Sequence, residues 1–441
     1  MKRPSLPRAA FAVLAALAAV VTVVAVIMSG GTGGRAGGSA AGPHELPRSA
    51  APAASGSWAG AWSTSPAAAE PNSGRGFAGR SLRNVVHTTL AGSRARITLS
   101  NLFGDRPLTI GHASLAVAAA GGPAAVPGSM RVLLFGGRPM VTIPAGRTAV
   151  SDPVHLTVGY GADLLVTTYS PTPSGPVTYH PHARQVSYLA QGDRTEDTGG
   201  APYTARTPYW RYVSAVDVWS SDAQGAVVVL GDSITDGVSS TVGANRRWTD
   251  FLARRLRTEP GAPRYGVLNQ GISGNRVLLG GVGAFPRNNP SGLERFDRDV
   301  LSRTGVRAVV IELGVNDIMR RPRQTDPARI TAGLRELVAR AHARGLRVIG
   351  ATLAPFGGRV GLGPEQERVR QGVNAGIRAG DVFDGIVDFD VALRDPAAPQ
   401  RLLPAYDCGD HLHPSDAGYR AMAQALDLGL LKGDRPAAQQ L

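Results

Sequence analysis

The sequence predicts an α/β fold with a parallel, doubly wound sheet, preceded by an antiparallel β-sandwich. From Trp58 to about Trp219, short strand-like runs are separated by turn residues, and long helical periods are absent. After Ser220, strand-like runs alternate with helix-like ones, which favours a parallel sheet covered by helices on both faces. The length of 441 residues fits two domains with appendages. We therefore expect a β-sandwich at 57–220 and an α/β domain at 221–435.

Runs of strand-forming residues bounded by turn residues predict the strands of the first region. These runs lie at 94–101, 131–136, 149–158, 162–170 and 211–219. The predicted strands of the second region lie at 226–230, 266–269, 307–313, 347–353 and 385–389.

Helical periodicity and end signals predict the helices of the second region. Trp248, Phe251 and Leu252 share one face of the first of them. Another has Pro327 near its first position and Gly345 at its end, where these residues are favoured. The predicted helices are 247–256, 327–345, 364–379 and a last one from about residue 415.

The N-terminus predicts export. Lys2, Arg3 and Arg8 precede an uncharged apolar run at 9–28, which is the layout of a secretory signal and is close to the length that spans a bilayer. We expect residues 1–30 to be either a cleaved signal peptide or a retained membrane anchor. Because the charges before the run stay inside, the bulk of the chain would be secreted or extracellular, with membrane attachment only through this segment. Residues 31–56 are rich in Gly, Ala and Pro and read as a flexible linker.

Composition and charge exclude several classes of protein. With 43% apolar and 18% charged residues, the chain is globular rather than disordered. The net charge of +14 comes almost entirely from scattered arginines, since Lys2 and Lys432 are the only lysines. No basic stripe with interleaved aromatic residues is present, so we expect no nucleic-acid partner. Cys408 is the only cysteine, and an intrachain disulfide is therefore impossible.

Small polar residues follow the predicted strands of the second region, where function gathers in a parallel sheet. The first strand ends in Gly-Asp-Ser, with Ser233 last; the second leads to Gly274; the third ends in Gly-Val-Asn-Asp, which contains Asn316. After the last strand, the segment "DCGDHLHP" contains Asp410 and His413. Each of these motifs alone is an ordinary turn.

Together these residues supply every part of an acyl-transfer site. Ser233 is a hydroxyl nucleophile at a strand-to-helix junction, and His413 is its candidate base. Asp410 lies three residues before the histidine and can fix the imidazole tautomer. Gly274 can offer a backbone N–H, and Asn316 an amide N–H, to a tetrahedral oxyanion. Such chemistry requires no metal and no cofactor.

The ordered set G-D-S, Gly, G-x-N-D and D-x-x-H-P resembles the SGNH (GDSL) hydrolases, a family of esterases and lipases. The chain lacks G-x-S-x-G, which argues against the α/β-hydrolase arrangement. The resemblance implies a flavodoxin-like three-layer α/β/α fold, with Ser233 as nucleophile and its backbone N–H in the oxyanion hole. It also implies that Gly274 and Asn316 are the other oxyanion donors, and that Asp410 and His413 are the acid and the base.

A second, looser resemblance concerns the first region. "WAGAWSTSP" at 58–66 and the β-rich region that follows look like the two-domain bacterial branch of aryl- or acylesterases. This resemblance implies an ester substrate that is either a small molecule or a polysaccharide, including acetylated plant polysaccharides. The predicted protein is thus a secreted serine esterase that acts on acyl or acetyl esters. The alternatives are a lipase or phospholipase of the same fold, and a carbohydrate- or cell-wall-binding protein in which the hydrolase is secondary.

Two groups of residues have rival interpretations. Asp407, Asp410, His411 and His413 could form a metal cluster, because carboxylate and imidazole suit several divalent ions, but their spacing crowds the ligands. His411 is then better explained as a structural or substrate-lining residue, and Cys408 as a small buried or half-buried one.

The three tryptophans of the first region, Trp58, Trp62 and Trp219, could stack on a sugar. Core aromatic residues of a sandwich are the simpler interpretation. Asp232 and Asp317 are expected to hold their own loops through hydrogen bonds.

Overall fold

The computed structural model describes residues 56–120, 122–281 and 289–432. The predicted signal or anchor segment, and the predicted linker up to residue 55, lie outside the described residues. All described residues belong to one compact unit of the chain, Ala54–Leu441. None of the helices in these residues is both long and apolar enough to cross a membrane.

In the part of the first region that the structure describes there are sixteen strands. They are β1 (Ser57–Ser63), β2 (Ala68–Ala69), β3 (Arg80–His87), β4 (Gly92–Ser100), β5 (Leu108–Ile110), β6 (His112–Val117), β7 (Arg131–Val132), β8 (Val141–Ile143), β9 (Thr148–Val150), β10 (Val154–Val158), β11 (Asp163–Ser170), β12 (Thr178–His180), β13 (Ser187–Gln191), β14 (Ala205–Thr207), β15 (Trp210–Arg211) and β16 (Val213–Ser220).

The larger of these strands form two antiparallel sheets, in the orders β1-β16-β4-β10 and β14-β13-β3-β11-β6-β7, with β9 also paired to β4. One apolar core joins the two sheets: Ile97 and Val216 come from the first sheet, Val86 and Leu164 from the second. A core shared by two facing antiparallel sheets defines a sandwich. The predicted β-sandwich is confirmed.

Two predicted strands are interrupted. The run 149–158 is divided into β9 and β10, because Pro153 has no N–H to donate to a ladder. The run 211–219 is divided between β15 and β16 at Tyr212, whose φ of 62° lies in the left-handed region. Local backbone restrictions of this kind end a strand even where the side chains favour one.

The second region begins with a parallel sheet strand and alternates strands with helices. Its elements are β17 (Gly225–Gly231), α1 (Ser233–Asp236), α2 (Trp248–Thr258), β18 (Tyr265–Gly271), α3 (Gly292–Phe296), a π-helical turn (Asp297–Leu301), β19 (Val306–Glu312), α4 (Val315–Met319), α5 (Pro327–His342), β20 (Arg347–Ala351), α6 (Pro364–Arg378), β21 (Gly385–Val387), α7 (Phe389–Leu393), β22 (Arg394–Asp395), β23 (Ala398–Leu402), α8 (Asp416–Ala425) and a 3₁₀ turn (Leu428–Leu431).

Five of these strands form a parallel sheet in the order β18-β17-β19-β20-β21. In chain order this is 2-1-3-4-5, the flavodoxin-like order. Alternate residues of β17 face opposite sides: Val228 packs with Leu334 of α5, whereas Val229 packs with Leu252 of α2. Helices therefore cover both faces, and the predicted three-layer α/β/α fold is confirmed.

Strand β1 of the sandwich packs against β18, which is the edge strand of the parallel sheet. A Cβ on Gly266 would lie 2.1 Å from the carbonyl oxygen of Gly60, so only glycine permits this approach of the two backbones. The Thr89 hydroxyl accepts a hydrogen bond from the N–H of Val267 (2.9 Å) and donates one to the carbonyl of Ala61 (2.7 Å). The sandwich thus covers a sheet edge that would otherwise expose unpaired backbone groups.

Candidate active site

The end of β17 presents Ser233. Asp232 accepts a hydrogen bond from the N–H of Ile234 (3.0 Å) and so caps the short helix α1, whose first residue is Ser233. Gly231 is required at the turn, because a Cβ there would lie 2.2 Å from the hydroxyl oxygen of Thr235. The side chain of Ser233 stands at the carboxyl end of the first parallel strand, and the residue is 7% exposed.

His413 joins Ser233 to Asp410. Its Nε2 lies 2.9 Å from Oγ of Ser233, and its Nδ1 lies 2.7 Å from Oδ2 of Asp410. A carboxylate can only accept, so Nδ1 carries a proton, and Nε2 of the neutral ring is free to accept the serine proton. The structure therefore brings the three predicted residues into one hydrogen-bonded chain, although their catalytic roles remain predictions.

The loop that contains this pair is fixed by its own backbone. The N–H of Cys408 donates to the carbonyl of His413 (3.1 Å), and Oδ1 of Asp410 accepts from the N–H groups of Leu412 (3.0 Å) and His413 (2.8 Å). The Ser239 hydroxyl donates to the carbonyl of Pro414 (2.7 Å) and so connects the loop to the segment after α1. These bonds fix the loop that carries His413, and so they fix the place of its imidazole.

Arg359 is a partner of Asp410 that the sequence did not indicate. Its guanidinium donates to the Asp410 carbonyl and to Oδ2, both at 2.8 Å. Burial alone would raise the pKa of the Asp410 carboxyl, but the hydrogen bonds from the backbone and imidazole of His413 outweigh burial and hold that pKa well below its usual value. Arg359 lies in the loop after β20, and the rule that function gathers at strand ends could have marked that loop.

The predicted oxyanion donors, Gly274 and Asn316, lie on either side of Arg320. The Asn316 Oδ1 accepts from Nε of Arg320 (3.1 Å), and its Nδ2 donates to Oδ2 of Asp232 (3.1 Å). Both contacts fix the orientation of the amide, and Nδ2 keeps a second N–H for a substrate oxygen. A Cβ on Gly274 would lie 2.3 Å from NH2 of the same arginine, and its φ of 78° also favours glycine.

Three buried carboxyl groups surround this region. Burial raises the pKa of Asp232 to about 7, and burial together with the Asp232 charge raises the pKa of Glu312 well above its usual value. Burial raises the pKa of Asp317 to about 6, and its carboxylate accepts from the N–H groups of Val277 (2.7 Å) and Leu278 (3.0 Å). Asp317 therefore holds the segment after Gly274 rather than its own loop.

The alternative metal ligands are engaged in hydrogen bonds. The ligand atoms of Asp407, Cys408 and Asp410 lie within 4.8 Å of one another. However, the Asp407 carboxylate is bound to Nδ1 of His411 (2.6 Å), and that of Asp410 to His413. Cys408 is exposed, not buried or half-buried as expected, because it lies in the turn at Gly409 at the surface.

Among the tryptophans of the sandwich, Trp62 is buried and packs edge-to-face on Trp210. Trp58 and Trp219 are half-buried and also pack edge-to-face, with the Arg96 guanidinium 4.6 Å from the centre of the Trp58 ring. Trp62 is therefore part of the apolar core of the first region.

One family model matches the second region. Residues 229–421 match the model of the GDSL-like lipase/acylhydrolase family. No curated protein sequence matches the chain. Three solved structures that resemble the chain are a GDSL-like lipase from Bacteroides thetaiotaomicron (21% identity, 46% of this chain and 87% of that chain, TM-score 0.34), a carbohydrate acetylesterase from Sinorhizobium meliloti (18%, 45% and 95%, 0.36) and an acetylxylan esterase from Geobacillus stearothermophilus (21%, 48% and 96%, 0.36).

The matched segment begins in β17 and ends in α8, and it contains Ser233, Gly274, Asn316, Asp410 and His413. The order of the motifs, the 2-1-3-4-5 sheet and the family match all describe the same segment. Residues 229–421 therefore form a GDSL-like lipase/acylhydrolase domain, and the chain is a carboxylic ester hydrolase.

Proposed function

We propose that this protein is an exported serine esterase that hydrolyses acyl or acetyl esters, on small molecules or on polysaccharides, through an acyl-enzyme formed on Ser233. The observation that carries the proposal is the unbroken chain from Ser233 Oγ through the His413 imidazole to Asp410, at 2.9 and 2.7 Å. A serine hydroxyl is inert without a base, and this arrangement supplies both the base and the group that orients it.

In the first half of the reaction, Nε2 of His413 takes the proton of Ser233 as Oγ bonds to the ester carbonyl carbon. The oxyanion that develops is stabilised by N–H groups of Ser233, Gly274 and Asn316. The bond to the alcohol oxygen then breaks, and the imidazolium returns its proton to the departing alcohol. Asp410, whose pKa is low, stays ionised and stabilises the imidazolium throughout.

In the second half, water replaces the alcohol. Nε2 of His413 takes a proton from the water as its oxygen bonds to the acyl carbon, and the ester bond to Ser233 breaks. The proton returns to the Ser233 oxygen and the carboxylic acid leaves. No step requires a redox change, and each proton that the histidine accepts is returned within the same half-reaction.

The substrate part of the proposal rests on the resemblance of residues 58–66 to two-domain acylesterases. The localisation part rests on the charged and apolar pattern of residues 1–30. Export is tested by expressing the full chain in a bacterial host and sequencing the N-terminus of the product. A product outside the cytoplasm that starts between residues 29 and 56 supports a cleaved signal, and an intact N-terminus in the membrane fraction supports an anchor. An intact product in the cytoplasm contradicts export.

The activity is tested with p-nitrophenyl esters of increasing acyl length, beside acetylated xylan and phospholipid, with and without EDTA. We expect turnover of short esters that EDTA does not affect, and a loss of roughly 10⁴-fold or more in Ser233→Ala. Ser302→Ala is a matched control. This serine is exposed, its hydroxyl donates to the Arg298 carbonyl, and it precedes the amino end of β19, whereas Ser233 follows the carboxyl end of β17. Hydrolysis by Ser233→Ala at more than about a hundredth of the wild-type rate would contradict covalent catalysis by this serine.

A further inference from the structure

A segment of the first region reaches the turn that presents Ser233. It contains β12, which pairs with β2 and β15 in a small third sheet. His180, the last residue of β12, places its Nε2 2.9 Å from Oδ1 of Asp236, the last residue of α1. Both side chains are almost fully buried, with exposed fractions of 3% and 2%. The first region therefore contributes a titratable side chain to the helix that carries the nucleophile.

Both ring nitrogens of His180 face oxygen acceptors. Nδ1 lies 2.9 Å from the carbonyl oxygen of Ser65, which can only accept, and Nε2 faces the Asp236 carboxylate. Each ring nitrogen can donate to the oxygen that faces it, so the geometry suits a ring that holds both acceptors at once. Burial alone would raise the pKa of Asp236, but the charge and hydrogen bond of His180 outweigh it and lower that pKa.

The other oxygen of Asp236 holds the loop of the oxyanion donor. Oδ2 accepts from the N–H (3.0 Å) and from the hydroxyl (2.7 Å) of Ser273, which directly precedes Gly274. One carboxylate therefore connects three parts of the molecule: the sandwich, the helix that begins at Ser233, and the loop that carries Gly274.

Residues after α1 hold the same sandwich segment from its other side. The Arg247 guanidinium donates to the carbonyl of Ala183 and, through Nε, to the carbonyl of Asp236 (3.1 Å). The N–H of Gly243 donates to the carbonyl of Arg184 (2.8 Å). Because the segment is bonded on both sides, His180 cannot withdraw from Asp236 without breaking several buried hydrogen bonds.

We propose that His180 is a positioning residue for ester hydrolysis, which acts through Asp236 and Ser273 to hold the Gly274 N–H in place for the oxyanion. This inference rests on the proposed serine mechanism and deepens it. It also makes the first region a part of the active site, since the side chain that holds the oxyanion loop through Asp236 comes from β12.

The first test compares His180→Gln with His342→Gln in the full-length protein. His342 forms the same kind of pair, with Nε2 2.9 Å from Oδ2 of Asp384, but it lies at the end of α5. We expect His180→Gln to lower kcat about 10- to 100-fold with KM within about threefold, since complete removal of one oxyanion donor costs roughly 10²–10³. His342→Gln should keep kcat within about twofold. Both are assayed well below their unfolding temperatures.

The second test is a double-mutant cycle between His180→Gln and Ser273→Ala, which lacks the hydroxyl bonded to Asp236. If both residues act through the same loop, their effects on kcat are less than additive. The rate at which an organophosphate labels Ser233 should fall with kcat. If His180→Gln does not fold, Ser273→Ala alone should still lower kcat severalfold with KM unchanged.

The outcomes separate the two proposals. Unchanged kcat in His180→Gln, or in Ser273→Ala where the first variant does not fold, overturns the positioning role, even if the unfolding temperature falls. Fully additive effects of the two substitutions also overturn it. In contrast, the absence of ester hydrolysis by the wild type, or full activity of Ser233→Ala, overturns the proposed serine mechanism itself.

Discussion

Among the described residues, two histidine–aspartate pairs bond to the short helix that begins at Ser233, and they differ in what the histidine can do. In the pair His413–Asp410, one ring nitrogen faces the carboxylate and the other faces a serine hydroxyl. In the pair His180–Asp236, both ring nitrogens face acceptors. The first ring can therefore accept a proton from the hydroxyl that it faces, whereas neither nitrogen of the second ring faces a donor.

The two pairs also differ in their exposure to solvent. Asp410 is 34% exposed and Asp236 only 2%. The more accessible pair can exchange protons with substrate and water, whereas removal of His180 from the buried pair would leave the Asp236 carboxylate without this partner in the interior. The same two residue types thus transfer a proton in one pair and hold a loop in place in the other. The group that faces the ring nitrogen not bonded to the aspartate decides between these roles.

The largest expected effect comes from removing the proton carrier. His413→Gln leaves Ser233 without a base, so kcat should fall by roughly 10⁴ or more, while KM changes little. Asp410→Asn should also cost roughly 10⁴, because the amide favours the wrong tautomer of the ring. Steady-state kinetics on a p-nitrophenyl ester measures both. If His413→Gln loses less activity than His180→Gln, the assignment of the two pairs is reversed.

An intermediate reduction of kcat is expected from substitution of Asn316. Its amide donates to Asp232 in the turn before Ser233 and does not contact the His180–Asp236 pair. Asn316→Ala removes one oxyanion donor and should lower kcat by roughly 10²–10³ with little change in KM. Because Asn316 and His180 support different donors, we expect their effects on kcat to add. A raised KM with full kcat would instead make Asn316 a substrate-binding residue.

A small effect is expected at Arg359, the exposed partner of the first pair. Its side chain is 34% exposed, and exposed ion pairs contribute about 0.2–1 kcal/mol, which corresponds to a reduction in kcat of at most about fivefold in Arg359→Gln. Asp410 keeps its bonds from Leu412 and His413 in this variant. A loss of more than about a hundredfold would show that Asp410 depends on the arginine as strongly as on the histidine.

The sequence was sufficient to identify the first pair and not the second. Asp410 and His413 lie in one loop, and Ser233, Gly274 and Asn316 follow successive strands, so strand order alone places them at one edge of a parallel sheet. The alternation of strands and helices is also visible in the local sequence pattern, and it predicted the three layers of the fold.

The second pair joins residues 56 positions apart, in two regions whose relative placement no local pattern encodes. The bond from His180 to Asp236 depends on how the sandwich packs on the edge strand, through the approach of Gly60 to Gly266. Arg359 was missed because a lone arginine in a glycine-rich loop is typical of a solvent-exposed surface.

The last prediction concerns the pH dependence of stability and separates the pairs without an activity assay. In the wild type, Asp236 has a lowered pKa, so its contribution to stability is present above the usual Asp range and is lost as the pH falls through the folded value. In His180→Gln the interaction with the ring is gone. Burial, the largest effect, raises the pKa of Asp236, and the charge of His182 and the hydrogen bond from Ser273 only partly oppose it. The folded protein then binds a proton more tightly than the unfolded chain, so the variant loses stability as the pH rises above about 4.

We therefore expect the difference in unfolding temperature between wild type and His180→Gln to grow between pH 4 and 6, by about 2–4 °C for each kcal/mol of added destabilisation. His182 also interacts with Asp236, and burial lowers the pKa of His182, so the change reports Asp236 together with this neighbouring histidine. His413→Gln is the matched variant: Asp410 keeps its backbone and Arg359 hydrogen bonds, and the corresponding difference should stay nearly constant. Scanning calorimetry at several pH values measures both. If the difference in unfolding temperature from the wild type changes with pH equally in both variants, ionised Asp236 does not depend on His180. The buried pair would then not hold the oxyanion loop.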